Sequence, residues 1–286
     1  MAEIIQKDGT WTFDGLAVRI VPGGDRGVGV LRQRLGEVSV PLEAIAAVSF
    51  EPGRKSGRLR LRLRDGADPL LQITGDTLDG SGDPYRLTVG NDRAAVAEYF
   101  VDEVRNALLL DQVPATPVDR YLLPGPALPV TAAAGDGTAT FDGERIHLSW
   151  NWKTEESKSS GGPREIALAD VESVEWRPSM GMENGFLRFR VAKGASQAPP
   201  KYDPYAIELW GFGKDPLMAL VAAAVAARMP HPSAAATKPP AALAKAPADD
   251  HDALVRRLRE LGELHRSGVL TDDEFSAAKQ AVLRRL

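Results

Sequence analysis

From Arg58 to Arg64 the chain alternates without a break: Leu59, Leu61 and Leu63 are apolar, and Arg58, Arg60, Arg62 and Arg64 flank them. A period of two places the two sets on opposite faces of a β-strand, so the leucines predict a buried face and the arginines a wet one. Shorter segments of similar character surround it. Thr10 to Phe13 and Leu16 to Val21 read as strands joined through Asp14-Gly15, a dipeptide that supplies the positive φ of a tight hairpin. Val38 to Leu42, Ala46 to Phe50, Leu70 to Thr74 and Tyr85 to Val89 read as further strands. Then the period changes. Val96, Tyr99, Phe100, Val104, Ala107 and Leu108 recur at spacings of three and four, which predicts a helix over Asp92 to Leu109.

The same series then returns. Asp8-Gly9-Thr10-Trp11-Thr12-Phe13-Asp14-Gly15 reappears as Asp136-Gly137-Thr138-Ala139-Thr140-Phe141-Asp142-Gly143. Gly57-Arg58-Leu59-Arg60-Leu61-Arg62 reappears as Gly185-Phe186-Leu187-Arg188-Phe189-Arg190, and Asp83-Pro84-Tyr85 as Asp203-Pro204-Tyr205. A duplication of this length predicts two domains of one α+β fold, each β-rich with a closing helix. The repeats are expected at 3–110 and 136–229, joined by a Pro/Ala-rich linker at 111–135. The second copy is shorter between Val191 and Asp203, so it is expected to lack the strand equivalent to Leu70 to Thr74. Its closing helix, Pro216 to Arg228, is apolar nearly all round. Such a helix needs cover on more than one side, either between the repeats or between protomers.

Beyond the repeats, 230–250 lacks large apolar residues and is expected to be a disordered, partly extended tether. The segment 251–286 reads as a helical hairpin. Ser267-Gly268 stops its first helix, and Thr271-Asp272-Asp273-Glu274 is a capping box that starts the second. Leu254, Leu258, Leu261, Leu264, Phe275, Val282 and Leu286 are more apolar surface than two short helices hide from each other. So small a core is rarely stable alone, which predicts homo-oligomerisation through these residues or docking on a protein partner.

Composition narrows the classes. The chain has 286 residues, a formal net charge of −4 and no cysteine. The charge argues against generic nucleic-acid or anionic-membrane binding by the whole molecule. Without cysteine there is no disulfide, thiolate metal site or thiol nucleophile. No signal segment opens the chain, and the longest apolar run, Leu217 to Ala227, falls short of the ~20 residues of a membrane span. The expected location is the cytoplasm.

Catalytic chemistry finds little support. His147, His231, His251 and His265 are scattered, with none at the spacing of a zinc site. The glycines of Pro22 to Gly29 loosely resemble a phosphate cradle, but they are expected to join two strands as a mobile loop rather than open a helix. The expectation is therefore a protein without cofactor or catalytic residue, a binding or assembly scaffold, with an enzyme whose site is assembled in an unrecognised cleft as a minority alternative. One constellation competes with a plain solvated face. Arg58, Arg60, Arg62 and Arg64, with Arg188 and Arg190 in the second copy, match the guanidinium chemistry that holds lipid or nucleic-acid phosphates. Cross-strand acids such as Glu51 or Glu37 would instead make it a solubilising surface.

The doubled unit, with Thr-Phe-Asp-Gly, Pro41 to Val48, Gly-x-Leu-Arg-Leu/Phe-Arg and Asp-Pro-Tyr, resembles a bacterial domain-of-unknown-function family numbered 4429. The tail, with Leu261, Leu264, Gly268-Val269-Leu270-Thr271-Asp272, Glu274-Phe275 and Lys279, resembles the short C-terminal domain called SHOCT. The first resemblance implies two tandem pleckstrin-homology-like domains, each a bent antiparallel sheet closed by a C-terminal helix. The second implies oligomerisation or binding to another macromolecule. Neither implies a catalytic residue.

Overall fold

The Asp14-Gly15 turn closes through the aspartate itself. Its Oδ1 accepts the amides of Leu16 and Ala17 at 2.8 and 2.9 Å, while Gly15 takes a φ of 103°. Asp142-Gly143 repeats the device, with the amides of Glu144 and Arg145 both at 2.8 Å and a φ of 118° at Gly143. Each turn starts the second hairpin of a repeat in the computed structural model. The structure describes residues 1–233, apart from 79, 193–195 and 197, all within one compact unit.

In the first repeat, β1 (Ala2–Gln6), β2 (Gly9–Phe13), β3 (Ala17–Pro22), the short helix α1 (Val30–Leu35) and β4 (Val38–Pro41) lead through a 3₁₀ turn to β5 (Ile45–Glu51). After it come β6 (Ser56–Leu63), the short helix α2 (Pro69–Thr74), β7 (Arg86–Gly90) and the long helix α3 (Ala94–Leu110). The second repeat runs β8 (Val130–Ala134), β9 (Gly137–Phe141), β10 (Arg145–Trp150), α4 (Glu156–Ser159), β11 (Arg164–Ala167), β12 (Val171–Arg177), β13 (Gly185–Val191), β14 (Ala206–Leu209) and α5 (Leu217–Ala226). Each repeat thus holds two antiparallel sheets, β1-β2-β3-β4 with β5-β6-β7 and β8-β9-β10-β11 with β12-β13-β14.

Alternation decides what each sheet buries. Leu59, Leu61 and Leu63 point inward and are at most 4% exposed; so are Leu187, Phe189 and Val191. Two hydrophobic cores form within this one unit, and they are not strictly partitioned between the repeats. Leu31 of α1 and Leu70 of α2 belong to the core of the second repeat.

The two long helices differ as their sequences do. α3 lies on β1, β5 and β7, burying Ala97, Phe100, Val101 and Val104 and leaving Tyr99 and Leu109 in solvent. α5 is buried from Met218 to Ala226, packed on β8, β9, β12 and β13 of its own repeat and on α1 and α2 of the first. Its all-round apolar surface is therefore covered at the junction between the repeats.

Several expectations need correction. Leu70 to Thr74 is not a strand but helix α2, because Asp68 caps it: Oδ1 accepts the Leu70 amide at 2.9 Å, and Pro69 fills the first turn. An apolar run so short carries either structure, and the Asp-Pro start decides for helix. Pro22 to Gly29 leads into α1 rather than into a strand, and the Gly29 amide is tied to the Ser81 carbonyl at 2.9 Å. The end of the expected linker supplies β8, which pairs with β9. Between β13 and β14, where the second copy is short, no helix or strand stands among the described residues. The tether beyond Ser233 and the hairpin with Leu254, Leu258, Leu261, Leu264, Phe275, Val282 and Leu286 lie outside the described residues.

Candidate binding surface

Each repeat ties its two sheets together through the aspartate that opens its motif. Asp8 Oδ2 accepts the Thr88 amide of β7 at 3.0 Å; Asp136 Oδ1 accepts the Glu208 amide of β14 at 2.9 Å. A buried cation meets each acid. Arg32 Nη2 donates to the Asp8 carbonyl at 2.9 Å, and Lys158 Nζ donates to Asp136 Oδ2 at 2.5 Å and to the Pro200 carbonyl at 3.1 Å. Burial pushes Lys158 below its usual value and Asp136 above its own. The repeat match pairs Asp8 with Asp136 but does not by itself point to either cation. A signal for them exists in the spacing: Arg32 precedes Gly36 by the same interval as Lys158 precedes Gly162.

The arginine ladder is less uniform than its spacing. Arg58 lies 3.6 Å from Glu51 and Arg60 lies 3.9 Å from Asp76, both exposed pairs. Glu37 goes instead to Arg19. Arg64 donates to the carbonyls of Thr116 and Glu43 at 2.8 and 3.0 Å, pinning the chain that joins the repeats. Arg62 shares with Arg60 a cavity of about 580 Å³, whose wall also includes Asp65, Asp76 and Asp83. In the second copy Arg188 is almost buried, 2.9 Å from Asp203, and donates to the Ala198 carbonyl, while Arg190 pairs with Glu175 at 2.8 Å. The structure does not bring these six arginines into one site.

A second cavity, about 500 Å³, lies in the crevice between the repeats and includes Asp68, Tyr85, Leu70, Leu123 and Arg228 in its wall. Burial raises Asp68, against the Tyr85 hydroxyl and the Leu70 and Leu71 amides, and raises Tyr85 well above its usual value. Both oxygens of Asp68 are taken: Tyr85 donates to Oδ2 at 2.7 Å, and the amides cap α2. These shifted groups serve the fold. His231 does too, its Nδ1 accepting the Ser233 amide at 3.2 Å and its Nε2 lying 3.0 Å from the Gly66 carbonyl.

The second repeat carries a different surface at one end of its sheets. Trp152, 88% exposed, and Lys153 follow β10; Trp210 and Phe212, the latter 61% exposed, follow β14. Met180 and Met182, both exposed, sit between β12 and β13. The ammonium of Lys153 lies 5.3, 5.2 and 5.9 Å from the ring centres of Trp152, Trp210 and Phe212. Asp215 sets the Trp210 to Phe212 loop, its Oδ2 accepting the Gly211 amide at 2.7 Å. Gly211 has a φ of 85°, and a Cβ there would stand 2.7 Å from Ser179 Oγ, so the methionine loop adjoins the aromatic one. Beneath them is a cavity of about 440 Å³ whose wall includes Val30, Ala134, Trp210, Phe212 and Asp215.

The first repeat supplies the control. Pro22 and Trp150 end β3 and β10 opposite the matched glycines Gly9 and Gly137, so Trp152-Lys153 corresponds to Gly24-Asp25. Val89 pairs with Gly57 as Leu209 pairs with Gly185, which sets Phe212 against Asp92. The methionine loop corresponds to Gly53-Arg54-Lys55. The fold forms these loops without any aromatic or methionine side chain. This exposed aromatic and methionine cluster belongs to the second repeat, and no sequence motif marks it.

A family model described as Domain of unknown function (DUF4429) matches residues 11–105 and again 139–226, together more than half of the chain. One described as Short C-terminal domain, or SHOCT, matches residues 256–283. No curated protein matches the chain.

Proposed function

The chain belongs to the family described as Domain of unknown function (DUF4429), and we propose that it is a non-enzymatic binding and assembly scaffold. The observation that carries this reading is the aromatic and methionine surface of the second repeat, which the first repeat's equivalent loops do without. Exposed clusters of Trp, Phe and Met beyond what a fold needs are the composition of interaction sites. In this reading each repeat is a pleckstrin-homology-like unit, supported by its four-stranded and three-stranded antiparallel sheets and closing helix. The reading without catalysis draws support from four groups shifted by burial, Asp68, Tyr85, Asp136 and Lys158, which are engaged in capping or in joining sheets. An anion-holding face on the first repeat is the weaker alternative, since Asp65, Asp76 and Asp83 line the cavity of Arg60 and Arg62.

The segment 251–286, where the SHOCT model matches, multimerises the scaffold in this proposal. Burying Leu254, Leu258, Leu261, Leu264, Phe275, Val282 and Leu286 contributes roughly 1.5–3 kcal/mol each, enough to offset the cost of association. In this proposal the scaffold works in the cytoplasm, where a chain free of cysteine is at home; among the described residues no helix is long and apolar enough to cross a membrane. Light scattering tests the assembly. The full chain is expected to exceed monomer mass at micromolar concentration, and Leu258→Asp or Phe275→Asp is expected to return it to monomer. A full chain that already runs as a monomer ends the proposal.

A further inference from the structure

We propose that Trp152, Trp210 and Phe212 form a cation–π site for an organic ammonium group, occupied in the free protein by the side chain of Lys153. The inference rests on the reading of this surface as a binding site and names its ligand chemistry. Ring faces carry negative quadrupole density, so three rings from two separate loops around one ammonium make an environment for positive charge and a poor one for an anion.

Two observations point to an exchangeable occupant. Lys153 is exposed, and its distances of 5.2 to 5.9 Å lie at the outer end of the cation–π range, so it is weakly held. Asp215, in the wall of the adjoining cavity and 4% exposed, keeps Oδ1 without a hydrogen bond among the described residues. A buried carboxylate attracts a cationic ligand through its charge, which needs no N–H donor on the ligand. The remaining charged group in that wall, Lys214, is exposed at the rim. A quaternary ammonium suits the rings best. It sheds water more easily than a lysine ammonium and needs no hydrogen-bond acceptor of its own.

The test uses the full chain, ¹⁵N-labelled, with the indole N–H resonances of Trp152 and Trp210 assigned by Trp152→Phe and Trp210→Phe. Choline chloride is titrated against sodium chloride at equal ionic strength. Both indoles are expected to shift saturably with choline alone. Lys153→Ala should tighten the apparent Kd at least threefold by removing the competitor, and Phe212→Ala should weaken it by a similar factor. Co-sedimentation of Lys153→Ala with phosphatidylcholine vesicles then identifies the source. Pelleting assigns a lipid headgroup, and saturation by free choline without pelleting assigns a soluble ammonium compound. No saturable shift in Lys153→Ala, or equal shifts with sodium chloride, overturns the proposal. Because the readout is local to two indoles, that result leaves the assembly reading to be judged by scattering.

Discussion

Lys158 and Asp136 meet beneath the Trp150 ring at 2.5 Å, both almost completely buried, and Arg32 with Asp8 stands at the matching place in the first repeat. Removing one member of a buried pair leaves the other charge uncompensated, which costs far more than the pair contributes. Lys158→Ala is therefore expected to lower unfolding free energy by about 3–5 kcal/mol. Arg32→Ala should cost less, about 1–3 kcal/mol, because Asp8 keeps some contact with solvent. Urea denaturation measures both, and two near-neutral variants would refute the joining role.

Leu70 lies in the first repeat by sequence and in the core of the second by packing. Leu70→Ala is expected to cost about 2–5 kcal/mol, and the damage should register in the second repeat. Hydrogen exchange at the amides of Leu217–Ala226 should accelerate, with less change in Ala94–Leu110. Tyr99→Ala, on the solvent side of α3, should leave stability within about 0.5 kcal/mol. Exchange that accelerates equally in both helices would mean that α2 does not serve the second core selectively.

Asp68 predicts a pH dependence. Burial raises its pKa in the folded state, so the folded protein holds that proton more tightly than the unfolded chain. Its stabilising contribution is full below the ordinary carboxylate value and is lost as pH rises through the raised one. Relative to the wild type, Asp68→Asn should therefore look progressively better as pH rises from 4 towards neutrality, since Asn keeps the Leu70 contact without the charge. Denaturation curves across that window check the sign, and a difference independent of pH would contradict it.

The ladder arginines should separate by role. Arg64→Ala removes two bonds to backbone carbonyls, at Thr116 and Glu43, and is expected to cost about 1 kcal/mol. Arg58→Ala removes one exposed pair at 3.6 Å and should leave the denaturation midpoint unchanged. Equal losses would show the ladder acting as one unit.

Much of the fold was legible because its periods are local. The alternation at Leu59, Leu61 and Leu63, the Asp-Gly turns and the stripe of α3 each arise from a few neighbouring residues, and the duplication transferred them to the second copy. Leu70 to Thr74 misled because a short apolar run has no period of its own, and the signal that mattered was the Asp68-Pro69 start. The aromatic surface was not legible as a site. Trp152, Trp210 and Phe212 lie in two loops far apart in sequence and on two different sheets, and only the packing of β14 against β9, where Asp136 accepts the Glu208 amide, brings those loops to one lysine.

The amino-acid sequence alone determined two copies of one α+β unit, their inward faces, and the need of the apolar helix over Leu217 to Ala227 for cover on several sides. It left open whether that cover came from the other repeat or from another chain. The tertiary structure decided for the other repeat, because α2, which among the described residues has no counterpart in the second copy, lies against α5. It likewise decided which charges are structural. Arg32, Lys158 and Arg188 look like surface cations in the sequence, and burial against Asp8, Asp136 and Asp203 makes them part of the frame. Periodicity along the chain reports which side of an element is apolar; what an element meets on that side depends on distant segments that no local pattern encodes.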